Sequence, residues 1–132
     1  MANYEARERT NYFKVKDPDK FREWATRLKL EINQSEEQLF ALIPNSDYDE
    51  FPGNVEDEEG NYYDVDFDAE LATHLADGEV VIIMHVGYEK FHYLCGYASA
   101  FDNKGQSISI SLNDIYEQVK EKWGIEPTEC SY

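Results

Sequence analysis

From Leu30 to Glu89 the chain carries seventeen acidic residues and not one lysine or arginine. Like charges without local cations repel, so whatever this stretch folds into must spread its carboxylates over solvent-facing surface. Eleven of the acids fall between residues 47 and 70: Asp47, Asp49, Glu50, Glu56, Asp57, Glu58, Glu59, Asp64, Asp66, Asp68 and Glu70. The flanks differ. Residues 1–29 hold eight bases against five acids, and residues 90–132 hold four bases against six acids. The total for 132 residues is −16. A surface so acidic excludes a conventional DNA, RNA or anionic-membrane binder, which needs a basic footprint.

The size fits one domain, 1–132, and a composition 42% hydrophobic and 14% aromatic supplies a core. No apolar run approaches the ~18 residues of a membrane span, and mean hydropathy is −0.69. The opening Met1-Ala2-Asn3-Tyr4-Glu5-Ala6-Arg7 lacks the apolar region of a secretory leader. Two cysteines, Cys95 and Cys130, make neither a disulfide framework nor a zinc site, so a reducing, cytoplasmic setting is expected.

After a polar N-terminal tail, residues 10–15 read as a strand with Phe13 and Val15 on one face. Asp17 and Pro18 then suit the N-cap and first position of a helix. Phe21, Trp24, Ala25 and Leu28 follow at i, i+3, i+4 and i+7, which gives that helix one apolar stripe. Residues 30–32 and 39–43 read as a strand pair around a polar turn. Residues 45–61 form an acidic loop or exposed hairpin region, broken at Pro52-Gly53 and Glu59-Gly60-Asn61. Within it, residues 54–56 and 61–65 are candidates for a short hairpin.

A second helix is expected over 66–76, with Phe67, Leu71 and Leu75 repeating every four residues and Gly78 as its left-handed cap. The β-branched run 80–86 reads as a central strand buried on both faces. Residues 91–101 and 107–110 continue the sheet, the second with serine–isoleucine alternation. A last helix opens near Ser111, with Asp114 placed as in a capping box and a stripe of Leu112, Ile115, Tyr116, Val119 and Trp123 before Gly124. The order β-α-β-β-α-β-β-β-α implies an α+β domain in two layers, a mostly antiparallel sheet with about three helices.

Motifs for chemistry are absent. An EF-hand reading of 47–58 fails because Phe51 and Pro52 occupy the fifth and sixth positions, and Asp64, Asp66 and Asp68 lack the required glycine and glutamate. His74, His85 and His92 have no zinc spacing; His85 and His92 fall in expected strands and read as hydrogen-bonded structural residues. Cys95 reads as a buried thiol. There is no nucleophile elbow and no phosphate loop. No cofactor or metal and no catalytic residue is expected. A small enzyme would need a pocket holding His85 or His92 with a carboxylate.

The acidic block has three readings: a solvated face that keeps the chain soluble, a weak divalent-cation binder, or a surface that competes with nucleic acid for a basic groove. If extended, Asp64, Asp66 and Asp68 would present carboxylates about 6.7 Å apart. That matches roughly every second phosphate of a DNA strand, at about 3.4 Å per phosphate along the axis. Should Asp66 cap the helix instead, the row shortens. Tyr48, Tyr62 and Tyr63 among the acids are candidate interface anchors or half-buried loop anchors.

Four segments, Arg9-Thr10-Asn11-Tyr12-Phe13-Lys14-Val15, Asp77-Gly78-Glu79, Gly87-Tyr88-Glu89-Lys90 with Tyr93, and Ser111-Leu112-Asn113-Asp114-Ile115-Tyr116, resemble pieces of small acidic accessory proteins of phages, plasmids and conjugative elements. Proteins of that setting include anti-CRISPR and antirestriction proteins. The resemblance implies an inhibitor of a host defence nuclease and assigns no functional residues. The leading expectation is a non-enzymatic acidic interaction protein, a nucleic-acid mimic whose eleven acids and three tyrosines meet a protein with a basic nucleic-acid-binding groove. Lys14, Lys16, Lys20, Arg22 and Arg27 would be a counter-face or a second contact. The alternative is an acidic protein-binding regulatory module of a mobile element without mimicry.

Overall fold

A computed structural model describes residues 4–36, 38–44, 50–89 and 93–130. Its frame is an antiparallel four-stranded sheet in the order β1-β7-β8-β9, with β1 Tyr4–Thr10, β7 Val81–Glu89, β8 Tyr93–Phe101 and β9 Ser107–Ser111. A second sheet pairs β2 Phe13–Lys14, β4 Leu39–Ile43 and β3 Glu31–Gln34 in the order β2-β4-β3, and a small hairpin joins β5 Asn54–Glu56 to β6 Tyr62–Asp64. Helices α1 Pro18–Arg27, α2 Phe67–His74 and α3 Asp114–Trp123 complete an α+β domain, as expected. The N-terminal segment departs from expectation. Read as a tail, it is instead edge strand β1, in register with β7 from Tyr4↔Glu89 to Thr10↔Ile83.

Helix α1 forms as its sequence dictates. Asp17 caps it, accepting the N–H groups of Asp19 and Lys20, and Pro18 occupies its first turn. At its end Lys29 adopts φ 59°, while Lys29 and Leu30 donate back to the carbonyls of Thr26 and Ala25. This is a Schellman closure made without glycine. Phe21, Trp24 and Ala25 face the core. There Phe21 packs edge-on to Phe13 at 5.8 Å and against Phe40 at 5.5 Å, and Trp24 stacks on Phe67 at 5.6 Å.

Helix α2 is shorter than its periodicity predicts. It stops at His74 because Leu75 is drawn into an extended bridge with Val15, secured by Lys16 N–H to His74 O and Ala76 N–H to Lys14 O. Burying Leu75 completely outweighs one more helical turn. Gly78 is therefore not the helix cap; at φ +83° it shapes the turn from Ala76 to Glu79.

The largest correction concerns β7, which is buried on one face only. Val81, Ile83, His85 and Gly87 point inward, while Met84, Val86 and Tyr88 are exposed. The inner face meets α1, α2, the second sheet and the 51–67 segment in one continuous core that includes Val55, Val65, Phe67, Leu71 and Phe101. Thr10 ties the two larger sheets together, its Oγ1 accepting the Leu42 N–H at 2.8 Å. Phe21 sits fully buried at the centre of this core, so Phe21→Ala should cost about 3–5 kcal/mol, measured by denaturant unfolding.

Candidate partner interface

The acidic segment lies on the inner side of the four-stranded sheet and is anchored there at both ends. At its start, Glu8 of β1 reaches across to 50–51: Oε1 accepts the Phe51 N–H at 2.7 Å, and Oε2 accepts the Tyr97 hydroxyl at 3.3 Å. The same Oε2 lies 3.4 Å from His85 Nδ1, while His85 Nε2 is 3.8 Å from Glu50 Oε1. The Tyr97 ring stacks on His85 at 4.5 Å, and its hydroxyl is pushed up to about 12 by burial first and by Glu8 next. At the other end Glu70 accepts the Trp24 indole N–H at 2.9 Å and meets Arg27 at 3.5 Å. Between these clasps, Phe51 stacks on Phe67 at 4.5 Å.

The acids thus divide into those that build the segment and those that face solvent. Asp57 shapes the hairpin tip, its Oδ1 accepting the N–H groups of Glu59 and Asn61, both at 2.9 Å. Asp66 caps α2 through the Ala69 N–H at 3.2 Å, and Glu70 is held by Trp24 and Arg27. Cap formation bends the expected row of Asp64, Asp66 and Asp68 out of an extended line. Asp68, in the first turn of α2, has its carboxyl raised by burial and by the neighbouring Asp66 charge.

Glu56, Glu58, Glu59 and Asp64 remain on the exposed hairpin. Glu56 stands opposite Tyr62 in the ladder and accepts its hydroxyl at 3.3 Å. Tyr62 is 68% exposed and Tyr63 42%, so the first stands in solvent and the second is partly covered. Asp47, Tyr48 and Asp49 lie outside the described residues, as does His92.

Of the basic residues expected to form a counter-face, Arg27 is a partner of Glu70, and Arg22 lies over the Phe40 ring beside Gln34 and Asp19. Arg27 and Lys29 also line a groove of about 270 Å³ with Glu50 and Glu56 at the root of the hairpin. Cys95 is half-buried rather than buried, and Cys130 is exposed. Among the described residues no group of three or more His, Cys, Asp and Glu side chains is placed to hold a metal.

Sequence reasoning missed two features. One is the Glu8–His85–Tyr97 clasp, whose members are far apart in sequence and whose Glu8 belongs to the supposed tail. The other is the outer face of the sheet, where Ile108 and Ile110 of β9 align with Ala100 and Ala98 of β8, and those with Ile82 and Met84 of β7. The alternation Ser107-Ile108-Ser109-Ile110 was its visible signal. The stripe of α3 is likewise unburied. No family model matches the chain, and comparison with curated proteins and with solved structures finds no similar one.

Two outcomes follow from this geometry. Glu8→Ala takes the acceptor from the Phe51 N–H and the Tyr97 hydroxyl, and should cost about 2 kcal/mol in denaturant unfolding. Because the folded state raises the Asp68 carboxyl, ionising it opposes folding above its folded pKa. Asp68→Asn should therefore raise the melting temperature at pH 7, with the gain vanishing below about pH 4, where the unfolded carboxyl is protonated too.

Proposed function

We propose that this chain is a non-enzymatic acidic interaction protein whose hairpin and α2 N-terminus enter a basic, nucleic-acid-binding groove of a protein partner. The partner class is a nuclease of the host-defence type, met in the cytoplasm. The observation that carries the reading is the exposed hairpin: Glu56, Glu58, Glu59 and Asp64 project together from a segment that is anchored at both ends and contains no lysine or arginine. A fixed row of carboxylates loses less conformational freedom on binding than a loose acidic loop would. The apolar side of the same hairpin is committed to the core through Val55 and Val65, so the acidic side is the one presented.

Helix α2 begins at this surface, and its dipole offsets part of the repulsion among Asp66, Asp68 and Glu70. The acids needed for the fold, Asp57, Asp66 and Glu70, lie beside those free for recognition, so the two roles are separable by substitution. A quadruple variant, E56Q/E58Q/E59Q/D64N, keeps every cap and clasp. Wild type should capture a nucleic-acid enzyme from host lysate at low salt, release it at high salt, and surrender it to added duplex DNA. The quadruple variant should capture none. Equal capture by both proteins overturns the reading, and capture that DNA does not displace points to an acidic regulatory module without mimicry.

A further inference from the structure

We infer that the outer face of the four-stranded sheet seats a second copy of this chain. Ten side-chain positions of β7, β8 and β9 point outward, and none is charged, in a chain 30% charged overall. Met84, Val86, Leu94, Ile108, Ile110 and Leu112 stand 59% to 77% exposed across it. Leu112 packs over Gly96, where an added Cβ would meet its Cγ and Cδ1 at 3.1 Å, and from Leu112 the apolar surface passes to Ile115 and Trp123 of α3.

Side chains of this size carry on the order of 100 Å² of apolar surface each. At these exposures the face, with Tyr88, Ile115 and Trp123, offers roughly 600 Å². The largest apolar patch on a typical monomer is about 300–600 Å², so this face stands at the top of that range and at the lower end of the roughly 600–1,000 Å² per partner that a stable dimer buries.

The charge distribution selects a second copy as the occupant. A chain of −16 resists self-association unless its acids avoid the contact, and the acidic segment lies on the opposite side of the sheet. Face-to-face packing therefore sets the two acidic hairpins at the far ends of the pair. Arg7 and Arg9 project outward from edge strand β1, while α3 follows β9 at the other edge with Asp114, Glu117 and Glu121 against Lys120 and Lys122, Glu117 being held by Lys120 and Glu121 exposed. A two-fold axis along the strands lays the β1 edge of one copy over the β9 edge of its partner, bringing the arginines to that helix. The outward Glu5 is engaged by the Tyr88 hydroxyl and adds no free acid.

Sedimentation equilibrium over a dilution series tests this. Wild type should run at twice the 15.4 kDa chain mass and dissociate on dilution. Val86→Glu, on an interior strand that edge pairing does not involve, should weaken the dimer by on the order of a hundredfold, because each copy then buries a charge. The quadruple hairpin variant should remain dimeric, which separates this inference from the proposed function.

Should Val86→Glu misfold, peroxide oxidation of wild type decides. Met84 should oxidise several-fold more slowly in concentrated than in dilute protein, relative to Met1. A wild type that stays monomeric at every concentration, a Val86→Glu dimer of unchanged affinity, or Met84 oxidation independent of concentration overturns the inference. A monomer that instead captures another protein through this face overturns it as well.

Discussion

Everything in this molecule hangs on the two-residue period of β7. A strand at the middle of a sheet must send alternate side chains to opposite faces. Here Val81 and Ile83 go to the core, while Met84, Val86 and Tyr88 go to the bare side. The inner set collects α1, α2, the second sheet and the acidic hairpin into one layer. Among the described residues nothing buries the outer set, which stands 49% to 60% exposed. The chain is therefore asymmetric across a single sheet, with the acidic segment on one side and, over β7 to β9, uncharged apolar surface on the other.

His85 shows how that asymmetry is held. It is a polar residue at an inward position, only 3% exposed, and it is tolerated because β1 places Glu8 beside it and β8 places Tyr97 flat against its ring. Glu8 in turn receives the Phe51 N–H, so the carboxylate that lies 3.4 Å from the buried histidine also pins the start of the acidic segment. Glu70 does the equivalent work at the far end through Trp24 and Arg27. One buried carboxylate, Glu8, and one partly exposed one, Glu70, thus hold the two ends of the segment that displays the others. His85 thus has a carboxylate near each ring nitrogen, Glu8 at 3.4 Å and Glu50 at 3.8 Å.

The parts of this design legible in the sequence are those governed by local chemistry. Asp17-Pro18 and the Phe21, Trp24, Ala25, Leu28 spacing specify α1, and Pro52-Gly53 with Glu59-Gly60-Asn61 delimit the small hairpin. What was illegible depended on pairing across distance. Residues 4–10 look like a polar tail because Glu5, Arg7 and Arg9 alternate with Ala6, Glu8 and Thr10, and only the match to β7 turns that pattern into an edge strand. Leu75 has helical neighbours and continues their four-residue spacing, but the bridge to Val15 makes it extended. The run 80–86 is so rich in β-branched residues that it cannot reveal whether one face or two will be covered; only the partners on each side settle that.

The division of labour among the acids bears on what such a surface can recognise. A carboxylate that caps a turn or helix has its lone pairs directed at backbone N–H groups and is poorly placed to meet a guanidinium. Asp57 and Asp66 are in that position, which leaves the hairpin's Glu56, Glu58, Glu59 and Asp64 as the short array available to a basic partner. Four charges on one hairpin attract modestly at physiological salt, where screening acts over about 8 Å. Doubling the array through the uncharged face would let one assembly reach two basic sites, or two stretches of one groove, and effective concentration would then strengthen an attachment that each hairpin alone makes weakly. Under the proposed function and the inferred dimer, the acidic surface and the uncharged one on opposite sides of the same sheet would be parts of one binding strategy.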